Sequence, residues 1–343
     1  MTYILSLIIP AYKPDQFIDR FIENLYKLDD KLNIEKLNFE VIFIHSDTTE
    51  NDKVKKLIFK NITIVYVYYK DKLNPSEARN IGIKIAKGDY LHFHDIDDFI
   101  LTNFIKDIVT KLIANRLYCF DVIVYKYHKV RENKLELIDH DICQIEHEIN
   151  SKELLNYISK YILEPHVYTA FVHCWSKIYK SEFIRKNCIR FDEKLEQLED
   201  VNFNFKIINC KPALYASNII LYDYSVASNN NENLSSKSGD DPDKDLKFLI
   251  RALKPVRKYC ILNFSKTIAY TKINHLYAST IVLWILRIRK RKKYGFKKKY
   301  EKINAYCDSK LVAHSLRFYD KMPNTSIIIP LLIKLKLPLF LSI

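Results

Sequence analysis

Four glycines serve all 343 residues of this chain, and two of them, Gly82 and Gly88, fall in one stretch: Ala78-Arg79-Asn80-Ile81-Gly82-Ile83-Lys84-Ile85-Ala86-Lys87-Gly88-Asp89-Tyr90-Leu91-His92-Phe93-His94-Asp95-Ile96-Asp97-Asp98. A chain this sparing of glycine keeps it for an unusual dihedral or a close backbone approach. Here a helical pattern gives way to a strand whose end carries Asp95, Asp97 and Asp98. Clustered carboxylates at a strand end suit a phosphate ligand that arrives with a metal ion.

The pattern around this stretch alternates β-branched runs with helical periodicity, as a mostly parallel sheet flanked by helices requires. Strands are predicted at Ile4–Ile9, Phe39–Ile44, Ile62–Tyr68, Tyr90–Phe93 and Phe120–Tyr127. After the first strand, Pro14 and apolar residues at 17, 18, 21, 22 and 25 mark a helix with one buried face. In such sheets ligands bind at the carboxyl ends of the strands. Ala11-Tyr12, His45-Ser46-Asp47 and Asp95-Ile96-Asp97 all emerge there. Further on, the spacing predicts a hairpin around Glu132-Asn133-Lys134, a helix near 151–160, and a helix opening on Glu199-Asp200, where the dipole favours carboxylates.

The long run from Ala78 to Asp98 resembles the donor-site core of family 2 glycosyltransferases of the GT-A fold. The resemblance extends upstream to Leu5-Ser6-Leu7-Ile8-Ile9-Pro10-Ala11-Tyr12, similar to the family's first strand and Pro-Ala-Tyr turn, and downstream to Trp175-Ser176-Lys177-Ile178-Tyr179 and Glu199-Asp200. It covers residues 1 to about 225 and implies a GT-A domain there, with a donor half over about 1–127 and an acceptor half over about 128–225. It also implies an inverting transfer from a nucleotide-diphosphate sugar. Pro10, Tyr12, Asp47, Arg79 and Asp95 would then face the nucleotide, Asp95 on its ribose side, and Asp97 would hold Mn²⁺ or Mg²⁺. Such an ion neutralises the departing diphosphate as a Lewis acid.

The acceptor hydroxyl must lose a proton as it attacks, which needs a carboxylate within reach. Asp200 is the expected base, with Glu199 orienting it or contacting the acceptor. For Arg79 a contact to base or diphosphate competes with a structural salt bridge, and Asp98 is free to cap a following helix. His92 reads as a sheet residue, and both His92 and His94 are left out of the metal site. Trp175 is expected beneath the acceptor pocket, with Lys177 solvated or on substrate. The chain departs from the family after its second strand, where the usual Asp-Asp-Gly is replaced by His45-Ser46-Asp47. Base recognition is therefore open, with a uridine nucleotide as the family's commonest donor type.

Hydrophobic residues make up 48% of the chain, enough for a substantial core, and seven cysteines without paired or metal-ligand spacing point to a reducing compartment. The N-terminus lacks a secretory leader pattern. Charge is uneven: residues 251–343 hold 21 Lys and Arg against 3 acids, a net +18, whereas the whole chain carries +14. Residues 226–245 read as a polar, flexible linker that folds over the donor in the resembled family, and 246–343 as a basic, mainly helical region. Nine cations between Arg287 and Lys299, without an acid, suit an anionic membrane surface. No nucleic-acid motif accompanies them. The apolar stretch 326–343 is broken by Pro330, Lys334, Lys336 and Pro338 and is too interrupted to span a bilayer.

The expectation is thus a cytoplasmic enzyme, peripheral on the inner face of the membrane. It would extend a bacterial surface glycan such as capsule, lipooligosaccharide or lipopolysaccharide on a glycan or lipid-linked acceptor. A nucleotidyltransferase is a second reading, opposed by the absence of glycine from residues 1–81. A catalytically silent adaptor that uses the basic tail is a third, opposed by the retained acids.

Overall fold

The computed structural model describes residues 3–100, 119–131, 134–138, 141–225, 241–320 and 328–342. It divides into two compact units, Met1–Asn150 with Ala170–Asn230, and Ser151–Thr169 with Asn231–Ile343.

The first unit is built on one mixed sheet. Its strands are β1 (Leu5–Tyr12), β2 (Phe39–Ser46), β3 (Ile62–Tyr69), β4 (Tyr90–Phe93), β5 (Phe99–Ile100), β6 (Val122–Arg131), β7 (Lys134–Ile138), β8 (His147–Ile149), β9 (Lys177–Lys180) and β10 (Leu214–Ser225). The order is β3-β2-β1-β4-β9-β6-β10-β5, with β7 on β6 and β8 on β10. From β3 to β4 all neighbours are parallel, and β9 then runs antiparallel to both β4 and β6. Near-continuous apolar runs such as Leu-Ser-Leu-Ile-Ile in β1 follow from burial on both faces.

Helix α1 (Asp15–Glu35) presents Ile18, Phe21, Leu25, Leu28 and Leu32 to Leu7, Ile9, Val41 and Phe43 of the sheet. On the other face lies α3 (Pro75–Ile85); a short helix α2 (Asp52–Lys55) precedes it. Asn74 caps α3 through a reciprocal capping box with Glu77, and Pro75 occupies the first turn, where its missing N–H costs nothing. The two glycines serve close approach: a Cβ at Gly82 would sit 2.3 Å from Ile8 Cγ2, and one at Gly88 would sit 2.6 Å from the Ser6 nitrogen.

Strand β1 runs on through Tyr12, beyond the predicted end at Ile9, and the turn falls at Lys13, whose φ is 48°. Pro10 is tolerated inside the strand because β4 pairs β1 only as far as Ile8, so the missing donor faces no ladder there. The tip of the predicted hairpin, residues 132–133, lies outside the described residues, but its arms pair from Arg131↔Lys134 to Tyr127↔Ile138.

The second unit is helical. It contains α4 (Ser151–Leu163), α7 (Pro242–Ala252), α8 (Lys254–Asn263), α9 (Lys266–Lys290), α10 (Phe296–Asp308), α11 (Lys310–Ser315), α12 (Ile328–Lys334) and α13 (Pro338–Ser342). The first unit's remaining helices are α5 (Ser181–Lys186) and α6 (Glu199–Asn209). Sequence reading placed 151–169 in the acceptor half, whereas α4 buries Tyr157, Ile158, Tyr161 and Ile162 and belongs with α9, with His275 Nε2 3.2 Å from the Leu163 carbonyl. The linker expected to 245 ends earlier. Asp241 caps α7 by accepting the Lys244 N–H at 3.1 Å, and residues 226–240 lie outside the described residues. Among the described residues, no helix is long and apolar enough to cross a membrane.

Candidate active site

The carboxyl ends of β1, β2 and β3 are level, with Tyr12 beside Ser46 and Ser46 beside Tyr69. Tyr12 is exposed, and the Lys72 ammonium lies 4.8 Å from its ring centroid. His45 is buried inside β2 with Nδ1 2.6 Å from the Tyr66 hydroxyl, and burial pushes its pKa down. Ser46 is also buried, so Asp47 is the first carboxylate after the strand, and it accepts the Thr48 N–H at 2.6 Å.

After β4 the chain turns over Asp95–Asp98, closed by the Asp98 N–H donating to the Asp95 carbonyl at 3.1 Å. One phenol organises this turn. Tyr222 of β10 accepts the Asp95 N–H at 3.1 Å and donates to Asp98 Oδ2 at 2.6 Å, while Asp98 Oδ1 accepts the Ser225 N–H at 2.7 Å. Asp98 is therefore buried and bound to β10, while the helix it was expected to cap lies outside the described residues; burial followed by the charges of Asp97 and Asp95 pushes its pKa well up. His92 is buried with Nδ1 2.9 Å from the Lys177 carbonyl, a satisfied sheet residue as the sequence suggested. His94 is likewise buried, its ring 5.0 Å from that of Tyr222.

Arg79 joins this turn to the acceptor side. Its side chain projects from α3, only 4% of the residue exposed, and makes three ion pairs: Nη2 to Asp95 Oδ1 at 3.1 Å, Nη1 to Glu199 Oε1 at 3.1 Å and to Asp200 Oδ1 at 3.2 Å. Arg79 thus makes the salt bridge that was one of its two expected roles. Burial alone disfavours its charge, but the carboxylates around it, Asp200, Asp95 and Glu199, reverse that and hold it cationic.

Glu199 and Asp200 open α6 as expected, and Leu198 precedes them in the left-handed region with φ 58°. A bulky residue there is an unfavourable conformation of the kind found where side-chain direction matters. Asp200 Oδ2 also accepts the Cys174 N–H at 3.1 Å, and Asn204 ties the same segment to the helix by donating to the Val172 carbonyl at 2.8 Å and to the Asp200 carbonyl at 3.0 Å. Asn80 holds the preceding loop: its amide donates to Glu193 Oε1 at 2.9 Å and accepts the Phe191 N–H at 2.9 Å.

Trp175 stacks on His173 at 4.6 Å and on Tyr222 at 4.6 Å, joining the acceptor-side segment to the strand that holds the turn. Lys177 is fully buried, not solvated; its ammonium donates to the His173 carbonyl, and burial lowers its pKa to about 8. Its place on β9, between β4 and β6, explains the burial.

The cluster carries more acid than base. Burial first, then the charge of Asp200, raises Glu199 to about 7, and burial followed by the charge of Asp95 raises Asp97 to about 6. Among the described residues no three acidic, histidine or cysteine side chains converge as a ready-made metal cage. The donor chemistry does fit a hard divalent ion: such ions are commonly held by one or two carboxylates together with substrate phosphates and water, and Asp95 and Asp97 stand two residues apart in the turn after β4, each half-buried.

Comparison with known proteins bears on the fold and the family. The glycosyl transferase family 2 profile matches residues 6–183. The poly(ribitol-phosphate) beta-N-acetylglucosaminyltransferase TarS of Staphylococcus aureus is 25% identical over 213 residues, 59% of this chain and 32% of TarS. EpsJ of Bacillus subtilis, an uncharacterized glycosyltransferase, is 22% identical over 205 residues, 60% of this chain and 56% of EpsJ. The minor teichoic acid biosynthesis protein GgaB of Bacillus subtilis is 27% identical over 219 residues, 61% of this chain and 21% of GgaB. The aligned part of this chain thus spans about a third of TarS and a fifth of GgaB. The crystal structure of S. aureus TarS 1–349 in complex with UDP-GlcNAc aligns with a TM-score of 0.60 and 20% identity, covering 93% of this chain and 84% of that one. The fold is therefore the expected GT-A arrangement, and with more than half of its residues matched by the profile, the chain belongs to glycosyl transferase family 2.

Proposed function

We propose that this chain transfers a sugar, with inversion at the anomeric carbon, from a nucleotide-diphosphate donor to a hydroxyl of a growing bacterial surface glycan. One observation carries the reading: the Arg79 guanidinium is bonded at once to Asp95 after β4 and to Glu199 and Asp200 at the start of α6. Donor-side and acceptor-side acids are thereby held in one cluster.

In this reading Asp95 uses its oxygen not bonded to Arg79 for the ribose hydroxyls, and Pro10, Tyr12 and Asp47 serve the nucleotide end. Asp97 would hold a divalent cation, Mn²⁺ or Mg²⁺, which when bound neutralises charge on the diphosphate. Asp200 takes the proton of the acceptor hydroxyl. Its two oxygens are aimed by Arg79 and the Cys174 N–H, yet a carboxylate has about four acceptor sites, which leaves room for that proton. Attack from the face opposite the leaving group inverts the centre without a covalent intermediate. Glu199 orients the acceptor, and Arg79 is a positioning residue.

A UDP-sugar is the proposed donor, supported by the TarS complex with UDP-GlcNAc. A polymer of the cell surface is the proposed acceptor, supported by TarS and GgaB, the latter named for teichoic acid biosynthesis. The proposed place of action is the cytoplasmic face of the membrane.

The test is thermal stability of wild type and Asp97→Asn against UDP, GDP, dTDP and CMP, with and without manganese. UDP with manganese should stabilise wild type by ~2.7 kcal/mol at ~100 times its dissociation constant, and Asp97→Asn should abolish the effect. Asp200→Asn should keep nucleotide binding and lose ~10²–10⁴-fold in transfer rate. A wild type that no nucleotide stabilises overturns the reading.

A further inference from the structure

Helices α12 and α13 are apolar on both faces. Their inner residues Ile329, Ile333 and Leu341 are buried, while Ile328, Leu331, Leu335, Leu337, Leu339 and Phe340 are exposed, five of them by half or more. A surface helix of a water-soluble unit ordinarily turns polar residues outward, and a contiguous apolar surface marks a site of contact. Between residues 328 and 342 the charged side chains are Lys334 and Lys336, and there is no acid.

The same segment borders a cavity of about 350 Å³ lined by Cys307, Ala313, Arg317, Ile333, Lys334 and Lys336. Three of these six carry positive charge. Lys336 ion-pairs with Asp308 at 3.3 Å across two exposed side chains, a contact that water and salt weaken readily. Lys336 stands in the left-handed region with φ 51°, where glycine is the usual residue, so its side chain is kept at a backbone cost.

We infer that α12 and α13 form an interfacial anchor for an anionic phospholipid bilayer, with Ile328, Leu331, Leu335, Leu339 and Phe340 entering the headgroup boundary and the cavity of Arg317, Lys334 and Lys336 taking a lipid phosphate. Exposed apolar residues next to cations are the combination that a lipid surface rewards, since apolar burial and attraction to anionic headgroups add. The net +18 of residues 251–343 supplies the long-range complement. A second copy of the chain fits less well, because residues 328–342 hold Lys334 and Lys336 and no acid of their own to meet a copy's cations. The inference stands apart from the sugar-transfer reading, since it concerns only the helical unit.

Flotation with vesicles of phosphatidylcholine alone, and of phosphatidylcholine mixed with phosphatidylglycerol, tests it without donor or acceptor. The wild type should float with the anionic vesicles. Lys334→Gln/Lys336→Gln should weaken that binding by about fivefold per cation, and Leu331→Ser/Leu335→Ser/Phe340→Ser should weaken it more than tenfold, at low and high salt alike. Unchanged circular dichroism melting of both variants shows that the fold is kept. Failure of the wild type to float overturns the inference, as does a triple variant that floats like wild type. A wild-type dimer in light scattering that the triple variant dissolves, without vesicle binding, assigns the face to a second copy instead.

Discussion

At the scale of single residues, Arg79 determines how much charge the site can hold. Its three partners lie 16, 120 and 121 positions away, so no local pattern reveals the pairing, although the three acids themselves were legible from their places at a strand end and a helix start. Arg79→Met leaves Asp95, Glu199 and Asp200 without their shared cation and should cost ~3–5 kcal/mol in urea unfolding, part of it regained in Arg79→Met/Glu199→Gln. Glu199 adds a pH dependence. Its folded value of about 7 lies above the ordinary 4.5, so between these limits the unfolded chain has released a proton that the folded protein keeps, and stability falls as pH rises. Glu199→Gln removes this titration. Between about pH 4.5 and pH 8 it should gain ~1–3 kcal/mol on wild type by denaturant midpoints measured at both ends. Lys177 shows the opposite limit of sequence reading: a four-residue strand is too short to reveal that both its faces are covered.

At the scale of elements, the parallel half of the sheet was readable because buried strands announce themselves as apolar runs, and β4 matches its predicted span from Tyr90 to Phe93. The start of α7 was missed. Asp241 and Pro242 are a helix-start signal, but the polar residues before them outweighed it. The glycine positions make a sharper test. Gly82→Ala drives a methyl group into the Ile8 side chain, and Gly88→Ala drives one into the backbone nitrogen of Ser6. Each should cost ~1–3 kcal/mol of overpacking. Ile8→Ala should recover part of the first loss, whereas Ser6→Ala should not rescue the second, because backbone cannot be trimmed; thermal melts of the four variants decide it.

At the scale of the whole molecule, no disulfide joins any of the seven cysteines, of which Cys119, Cys188 and Cys210 are exposed and Cys143, Cys174, Cys260 and Cys307 buried. A thiol reagent should therefore label three sites quickly in the native protein and the remaining four only on unfolding, in an Ellman titration with and without denaturant. The grouping of α4 with the helical unit was not legible in the sequence, since a helix's own periodicity does not say which neighbours cover its buried face. One further consequence follows from Tyr222. The phenol belongs to β10, yet it holds the turn after β4, with β9 and β6 between them in sheet order. With the donor bound at the turn as proposed, ligand occupancy there and the seating of β10 would be linked through Tyr222, each favouring the other by the same free energy. Tyr222→Phe should weaken nucleotide binding, and by the same factor it should diminish the protection that nucleotide gives to the β10 amides against hydrogen exchange.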